Sequence, residues 1–322
     1  MKRYLLKRIL TGLLMVIISV GINFTLVRLA PGDPVRMMAG TDNPNEAQIA
    51  ALTKKFGLDK SIPEQFVIYL GGLVQGDFGY SYVNERPVLS VIGERVGPTL
   101  MVSLTSLILA VLIGTLAGVR SARKNGGLFD RIACSLSYVF DSTPSFWLGL
   151  MLILLFASTL HWLPTTGMVN MRAGYTGLAR IGDIAYHLVL PVSTLVIITC
   201  PYYFRIARSS VLQVMSEDFI TTLRSTGMSE KRIFNKYVLR NALIPTVTVV
   251  GSSLAHLIGG TVFIETVFSW PGMGTLLYSS ISKRDYPMLS GIYLIIALSI
   301  AVMMIVVDIV YSLIDPRIKY TD

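Results

Sequence analysis

Charge is scarce in this sequence. Only 15% of its 322 residues are Asp, Glu, Lys or Arg, whereas 52% are hydrophobic. A soluble domain carries about 25% charged residues, so this deficit, with a mean hydropathy of +0.62, excludes an ordinary soluble protein. Cysteine is nearly absent: there are 2, Cys134 and Cys200, each in or beside a separate apolar run. Lone cysteines there read as small packing residues, which argues against a disulfide framework or a thiolate metal site. The 3 histidines, His161, His187 and His256, are scattered. No H-E-x-x-H and no nucleophile elbow occurs, which argues against an intramembrane enzyme. No G-x-x-x-x-G-K-[ST] phosphate loop occurs either, so the chain cannot hydrolyse ATP by that device. No catalytic residue, metal ligand set or bound cofactor is expected.

What is present is a series of long apolar runs. One crossing of the hydrocarbon layer takes about 20 apolar residues at about 1.5 Å each. Six runs approach or exceed that length: 9–29, 100–119, 132–156, 188–204, 242–262 and 288–314. They predict an all-α, polytopic membrane protein with six transmembrane helices. The first run follows MKRYLLKR and is longer than a signal-peptide core, so it reads as an uncleaved first span. With the N-terminus inside, most of the 28 Lys and Arg fall on inner segments, as does the net +9. The positive-inside rule then places both termini in the cytoplasm. The basic residues hug membrane edges, so a pI near 9.5 points to membrane lipid as a partner and not to nucleic acid.

Residues 30–98 form an extracytoplasmic insert. It opens on the breaker run APGDP (30–34), which stops the first helix. A helix is expected from Glu46 to Phe56 with Gly57 as its C-cap, and a second from Pro63, a favourable first helical position, to near Gly76. Residues 88–96 read as an amphipathic helix at the membrane interface. The insert is a cap on the spans or, in addition, a docking surface for an external partner. Gly114 and Gly118, and Gly251, Ala255 and Gly259, form small-residue stripes suited to close helix packing in lipid. Ionisable or helix-bending residues at membrane depth face a bundle interior or cavity. This makes Asp141, Pro144, His256 and Asp308 candidate pathway residues, with a structural hydrogen bond an equally good account of each.

The most informative segment is the polar insert 205–241 between the fourth and fifth runs. Ser216 is placed to cap a short helix, with Glu217 and Asp218 in its first turn, where the helix dipole favours negative charge. Phe219, Ile220 and Leu223 share a face, Arg224 follows, Gly227 suits a C′ position, and Met228 adds to the apolar set. A second helix starts at Ser229. Ile233, Phe234, Tyr237 and Val238 line one side of it, and Arg232, Lys236 and Arg240 the other. The first helix either seats in a groove of another protein or lies back on the bilayer or the spans.

The stretch DFITTLRSTGMSEKRIFNKYVLRNALIP (218–245) resembles the cytoplasmic signature of membrane subunits of bacterial ABC importers, above all the dipeptide, oligopeptide and nickel permease family. APGDP (30–34), GDFG (76–79), STPSFWLG (142–149), LPVSTL (190–195), ETVFSWPGMG (265–274), RDYP (284–287) and DPR (315–317) are similar to that family in the same order along the chain. The resemblance implies a single permease domain over 1–322 with the type I ABC importer fold, in the bacterial cytoplasmic (inner) membrane. It implies a homologous second permease (a heterodimer), two ABC ATPase subunits that use ATP and Mg, and an extracytoplasmic solute-binding protein. The helix over 217–227 corresponds to the coupling helix that docks in an ATPase cleft. Here the family's T-A-R-A-K-G is T-L-R-S-T-G, with Leu223 for an alanine and Thr226 for the lysine. Di- or oligopeptide is the favoured cargo, with nickel or a metal chelate as the alternative. A reading of another class is a proton-coupled secondary transporter using Asp141 or Asp308.

Overall fold

The computed structural model describes residues 2–29, 46–55, 59–81, 83–259 and 261–314. Among them all regular structure is helical, apart from an isolated bridge between Tyr80 and Pro87. The helices are α1 (Lys2–Leu29), α2 (Glu46–Lys55), α3 (Ile62–Val74), α4 (Val88–Arg123), α5 (Leu128–Asp141), α6 (Ser145–Leu152), α7 (Gly177–Met215), α8 (Asp218–Ser225), α9 (Glu230–Arg232), α10 (Leu239–Ala242), α11 (Ile244–Ala255), α12 (Val262–Val267), α13 (Met273–Ser282) and α14 (Tyr286–Ile314). Wider π-helical turns continue α6 over Ile153–Thr159 and join α9 to α10 over Ile233–Val238.

Among the described residues, four segments are long and apolar enough to cross a membrane: Val88–Arg123, Gly177–Met215, Glu230–Ala255 and Tyr286–Val307. The third expected span is broken. Its halves, Leu128–Asp141 and Ser145–Thr159, meet at 104°. The break follows from the sequence DSTP: Pro144 cannot donate to the preceding turn. Ser142 and Thr143 turn their hydroxyls back onto the Tyr138 and Val139 carbonyls. In α1 the apolar stretch is Ile9–Thr25.

Several expected boundaries move. Residues 88–96 do not form a separate interfacial helix but are the first turns of α4. Their apolar face, Val88, Val91 and Ile92, is buried against Met273, Leu276, Met288 and Ile292 of α13 and α14. Protein rather than lipid therefore covers it. The fifth span starts earlier and ends at Ala255, because its buried face (Ile233, Phe234, Val238, Ala242) runs on without interruption from the polar insert. α2 and α3 lie where expected. Ser61 precedes α3, and its backbone N–H and hydroxyl both donate to the Glu64 carboxylate, at 3.0 and 2.8 Å. The expected breakers Ala30–Pro34, and Phe56 and Gly57, lie outside the described residues.

α4 and α7 form the central pair. A Cβ on Gly114 would stand 2.7 Å from the Cys200 carbonyl oxygen, and one on Gly118 2.5 Å from that of Phe204. The two backbones therefore touch, the use expected of a small-residue stripe in lipid. Nearer the N-terminal end of α4, the buried Glu265 carboxylate ties three helices. It accepts from the Thr99 hydroxyl (2.7 Å), the Thr261 hydroxyl (2.8 Å) and the backbone N–H groups of Gly274 (2.6 Å) and Thr275 (3.3 Å). The last two are in the first turn of α13, where a helix dipole favours an anion. Trp270, fully buried, donates from Nε1 to the Pro98 carbonyl at 2.8 Å. Asp285 caps α14 through the Met288 N–H and holds the 79–87 hairpin through Ser81 and the Val83 N–H.

Gly118→Leu should force α4 from α7 and cost about 2 kcal/mol or more by overpacking. Thermal unfolding in detergent should show a clear drop in Tm. Gly93→Ala, with nothing within 4 Å of the added carbon, should leave it unchanged.

Candidate functional site

The connector between α7 and α9 is built from its apolar residues outward. α8 runs Asp218–Ser225 with Glu217 as its N-cap, so it begins one residue later than a cap at Ser216 implies. Ser216 instead closes α7, its hydroxyl donating to the Gln213 carbonyl at 2.7 Å. Glu217 holds the extended N-cap conformation and Asp218 lies in the first turn. Ile220 is wholly buried among Ala122, Val211, Ile233, Phe234, Val238 and Ala242. Leu223 and Met228 rest, half-buried, on the same cluster. Phe219 points elsewhere and is 39% exposed. Gly227 has φ +75°, the left-handed conformation a C′ glycine supplies without strain. Arg224 and Glu230 close the turn across it with an exposed ion pair at 2.7 Å. The structure thus divides the expected apolar set. Ile220 seats α8 on its own bundle, while Phe219 and the outer face, with Asp218, Thr222 and Ser225, stay open.

Beneath the connector lies a polar cluster that the sequence reading did not single out. Arg208 of α7 makes a two-pronged contact with Asp130 of α5, Nε to Oδ1 at 2.7 Å and Nη2 to Oδ2 at 3.0 Å. Asp130 also accepts from the Ser121 hydroxyl and from the Gly126 N–H. Arg208 donates to Asn125 at 2.9 Å. The Asp130 side chain is 6% exposed, so its charge is affordable only with these partners. The available signal was an acid in the first turn of a span, opposite two arginines three residues apart on another helix. Cys134 lies beside this cluster, its thiol 3.6 Å from Asp130.

Higher in the bundle, α4, α7 and α11, with the α5–α6 elbow, border an open-sided cavity of about 570 Å³. Ser103, Ser106, Thr199, Tyr202 and Ser252 supply hydroxyls to its wall, and Asp141 and His256 line it as well. Two candidate pathway residues expected from the sequence are therefore brought together. Pro144 makes the elbow but does not line the cavity. Asp308 lies on α14 with its side chain outside the described residues. Among the described residues no group of three His, Cys, Asp or Glu side chains could hold a metal ion.

Together, a helical bundle with a central cavity and a short external helix seated at one end define a transporter's membrane subunit. The architecture is that of ABC importer permeases. Two solved structures of the methionine ABC transporter MetNI in inward-facing conformations share the fold at 16% identity. Their TM-scores are 0.55 and 0.54, covering 70% of this chain and 96% and 97% of theirs. The chain belongs to the family of binding-protein-dependent transport system inner membrane components. That family matches residues 110–320, and its N-terminal companion matches residues 1–105. The glutathione transport system permease GsiC of Salmonella choleraesuis is 38% identical over 321 residues, covering 99% of this chain and 100% of that one. A Brucella suis chain that carries a peptide permease name is 36% identical over 326 residues, covering all of both. This protein is accordingly a non-enzymatic permease subunit of an ABC transporter in the bacterial inner membrane. Membership of the family implies ATPase and substrate-binding partners and a second permease.

Asp130→Ala should strand the partly buried Arg208 charge and cost about 3–5 kcal/mol, while the double variant Asp130→Leu/Arg208→Met should recover most of that loss. Unfolding of the two variants in detergent checks both statements.

Proposed function

We propose that this chain is one half of the translocation pathway of an ATP-driven importer of di- or oligopeptides. It pairs with a distinct, homologous permease, is driven by two ATPase subunits that use ATP and Mg, and is loaded by an extracytoplasmic solute-binding protein. The end that carries α8 faces the cytoplasm, as do both termini, and residues 30–98 face outward. Six crossings result when α1 and the broken α5–α6 pair each count as one. The peptide assignment rests on relatives named for peptide and glutathione transport and on a hydroxyl-lined cavity of a size, within roughly 300–1,000 Å³, that suits small molecules.

The observation that carries the coupling role is that α8 is anchored to its own bundle by Ile220 while Phe219 and the face around it stay open. Of the residues expected to couple, Phe219, Glu217, Asp218 and Arg224 then meet the ATPase. Ile220, Leu223 and Met228 fasten the helix to α7 and to the π-helical turns over Ile233–Val238, and Gly227 makes the turn. Force applied to α8 passes directly into the cluster at the end of α7.

Phe219→Asp should cut co-purification of the ATPase subunits at least about tenfold with the permease still inserted. Ile220→Asp should instead destabilise the permease itself, because it buries an unpaired charge. Normal ATPase recovery with Phe219→Asp would count against the reading. So would uptake that follows a proton gradient and ignores an ATPase-dead partner.

A further inference from the structure

Among the described residues, the cavity wall carries a single full negative charge. Asp141 is the only carboxylate among those lining it, the remainder being hydroxyl, aliphatic and aromatic side chains and His256. Asp141 is 47% exposed and paired through one contact, Arg205 Nη2 to Oδ1 at 3.1 Å. The pair is not saturated on the arginine side: Arg205 Nη1 is buried with no hydrogen-bond partner among the described residues. Arg205 does not line the cavity with Asp141. It lines a second space of about 300 Å³ next to Arg208 and Cys134. The ion pair thus stands between the two spaces, with its carboxylate on the upper side and its guanidinium on the lower.

The contrast with Asp130 is informative. That carboxylate, at the other end of α5, is closed in by a two-pronged arginine and two further donors. It has no capacity to take a new partner. Asp141 holds its arginine by one prong, is half open to the cavity, and sits at the elbow where α5 breaks from α6. A carboxylate accepts at both oxygens, so a cation entering the cavity can reach it. A loose ion pair at a surface is worth little, and a cation in the cavity competes with Arg205 on nearly equal terms.

Resting on the peptide reading above, we propose that Asp141 is the counter-ion for the amino-terminal ammonium of the peptide in transit, and that the ammonium displaces Arg205 from it. Asp141 is therefore a specificity residue for cargo with a free amine. Arg205 is the internal surrogate that occupies the site between cargoes and, when released, frees the elbow from α7.

The test uses the complete transporter in proteoliposomes, with one binding protein throughout and a radiolabelled dipeptide as cargo. Asp141→Asn should lower uptake about tenfold while ATPase subunits and binding protein still associate. Arg205→Gln, which removes the competitor only, should leave uptake at or above the wild-type rate. The exchange Asp141→Arg/Arg205→Asp, which rebuilds an ion pair in reverse, should not restore uptake. Equal losses in the two single variants, with rescue by the exchange, would show a structural tie and overturn the inference. An unaffected Asp141→Asn transporter would do the same. Dipeptide uptake by the wild type in those cases would leave the peptide reading standing, whereas no dipeptide uptake by the wild type would overturn both.

Discussion

The close approach of α4 to α7 is the constraint on which the remaining structure depends. Lipid tails are as apolar as leucine, so no hydrophobic gain draws two helices together inside a bilayer. Contact has to come from shape, and Gly114 and Gly118 supply it by removing the side chains that would hold the backbones apart. Once that pair is fixed, Ser103 and Ser106 on one helix and Thr199 and Tyr202 on the other become facing walls of a cavity. The same contact aims Arg208 of α7 at the far end of α4 and the start of α5.

Buried polar groups do the fastening that apolar burial does in water. Glu265, Asp285 and Asp130 each gather donors from segments far apart in the chain. Each meets unpaired backbone N–H groups at an element end or turn: the start of α13 for Glu265, the start of α14 for Asp285 and the turn before α5 for Asp130. A carboxylate with all its acceptor sites engaged holds a joint rigid. One with a single partner, such as Asp141, leaves a joint that can be reopened. This difference in satisfaction, more than depth in the membrane, is what singles out Asp141 for the role proposed above.

How much could be read beforehand differs by feature. Helix α8 and its turn at Gly227 were legible because a short helix marks its own ends. Its cap was misplaced by one residue, since Ser216 had a nearer carbonyl at Gln213. The facing of Phe219 and Ile220 was not legible. Adjacent apolar residues point about 100° apart on a helix, and periodicity cannot say which of them the bundle covers. Residues 88–96 were amphipathic as expected, but what met their apolar face was α13 and α14 rather than lipid. The motif around Glu265 was recognisable as a signature, yet its role as a three-helix knot emerged only when Thr99, 166 residues away, was placed against it.

The sequence by itself determined that this protein lives in a membrane, where its apolar runs and breakers fall, and which polar insert interrupts them. Those properties depend on neighbours along the chain, through hydropathy, helix period and the missing N–H of proline. Only the tertiary structure decided that Ile220 belongs to the bundle, that Asp130 is sealed while Asp141 stays half open, and that Asp141 and His256 share one cavity. Those outcomes turn on which distant segment fills the space beside a side chain, and no local pattern records that.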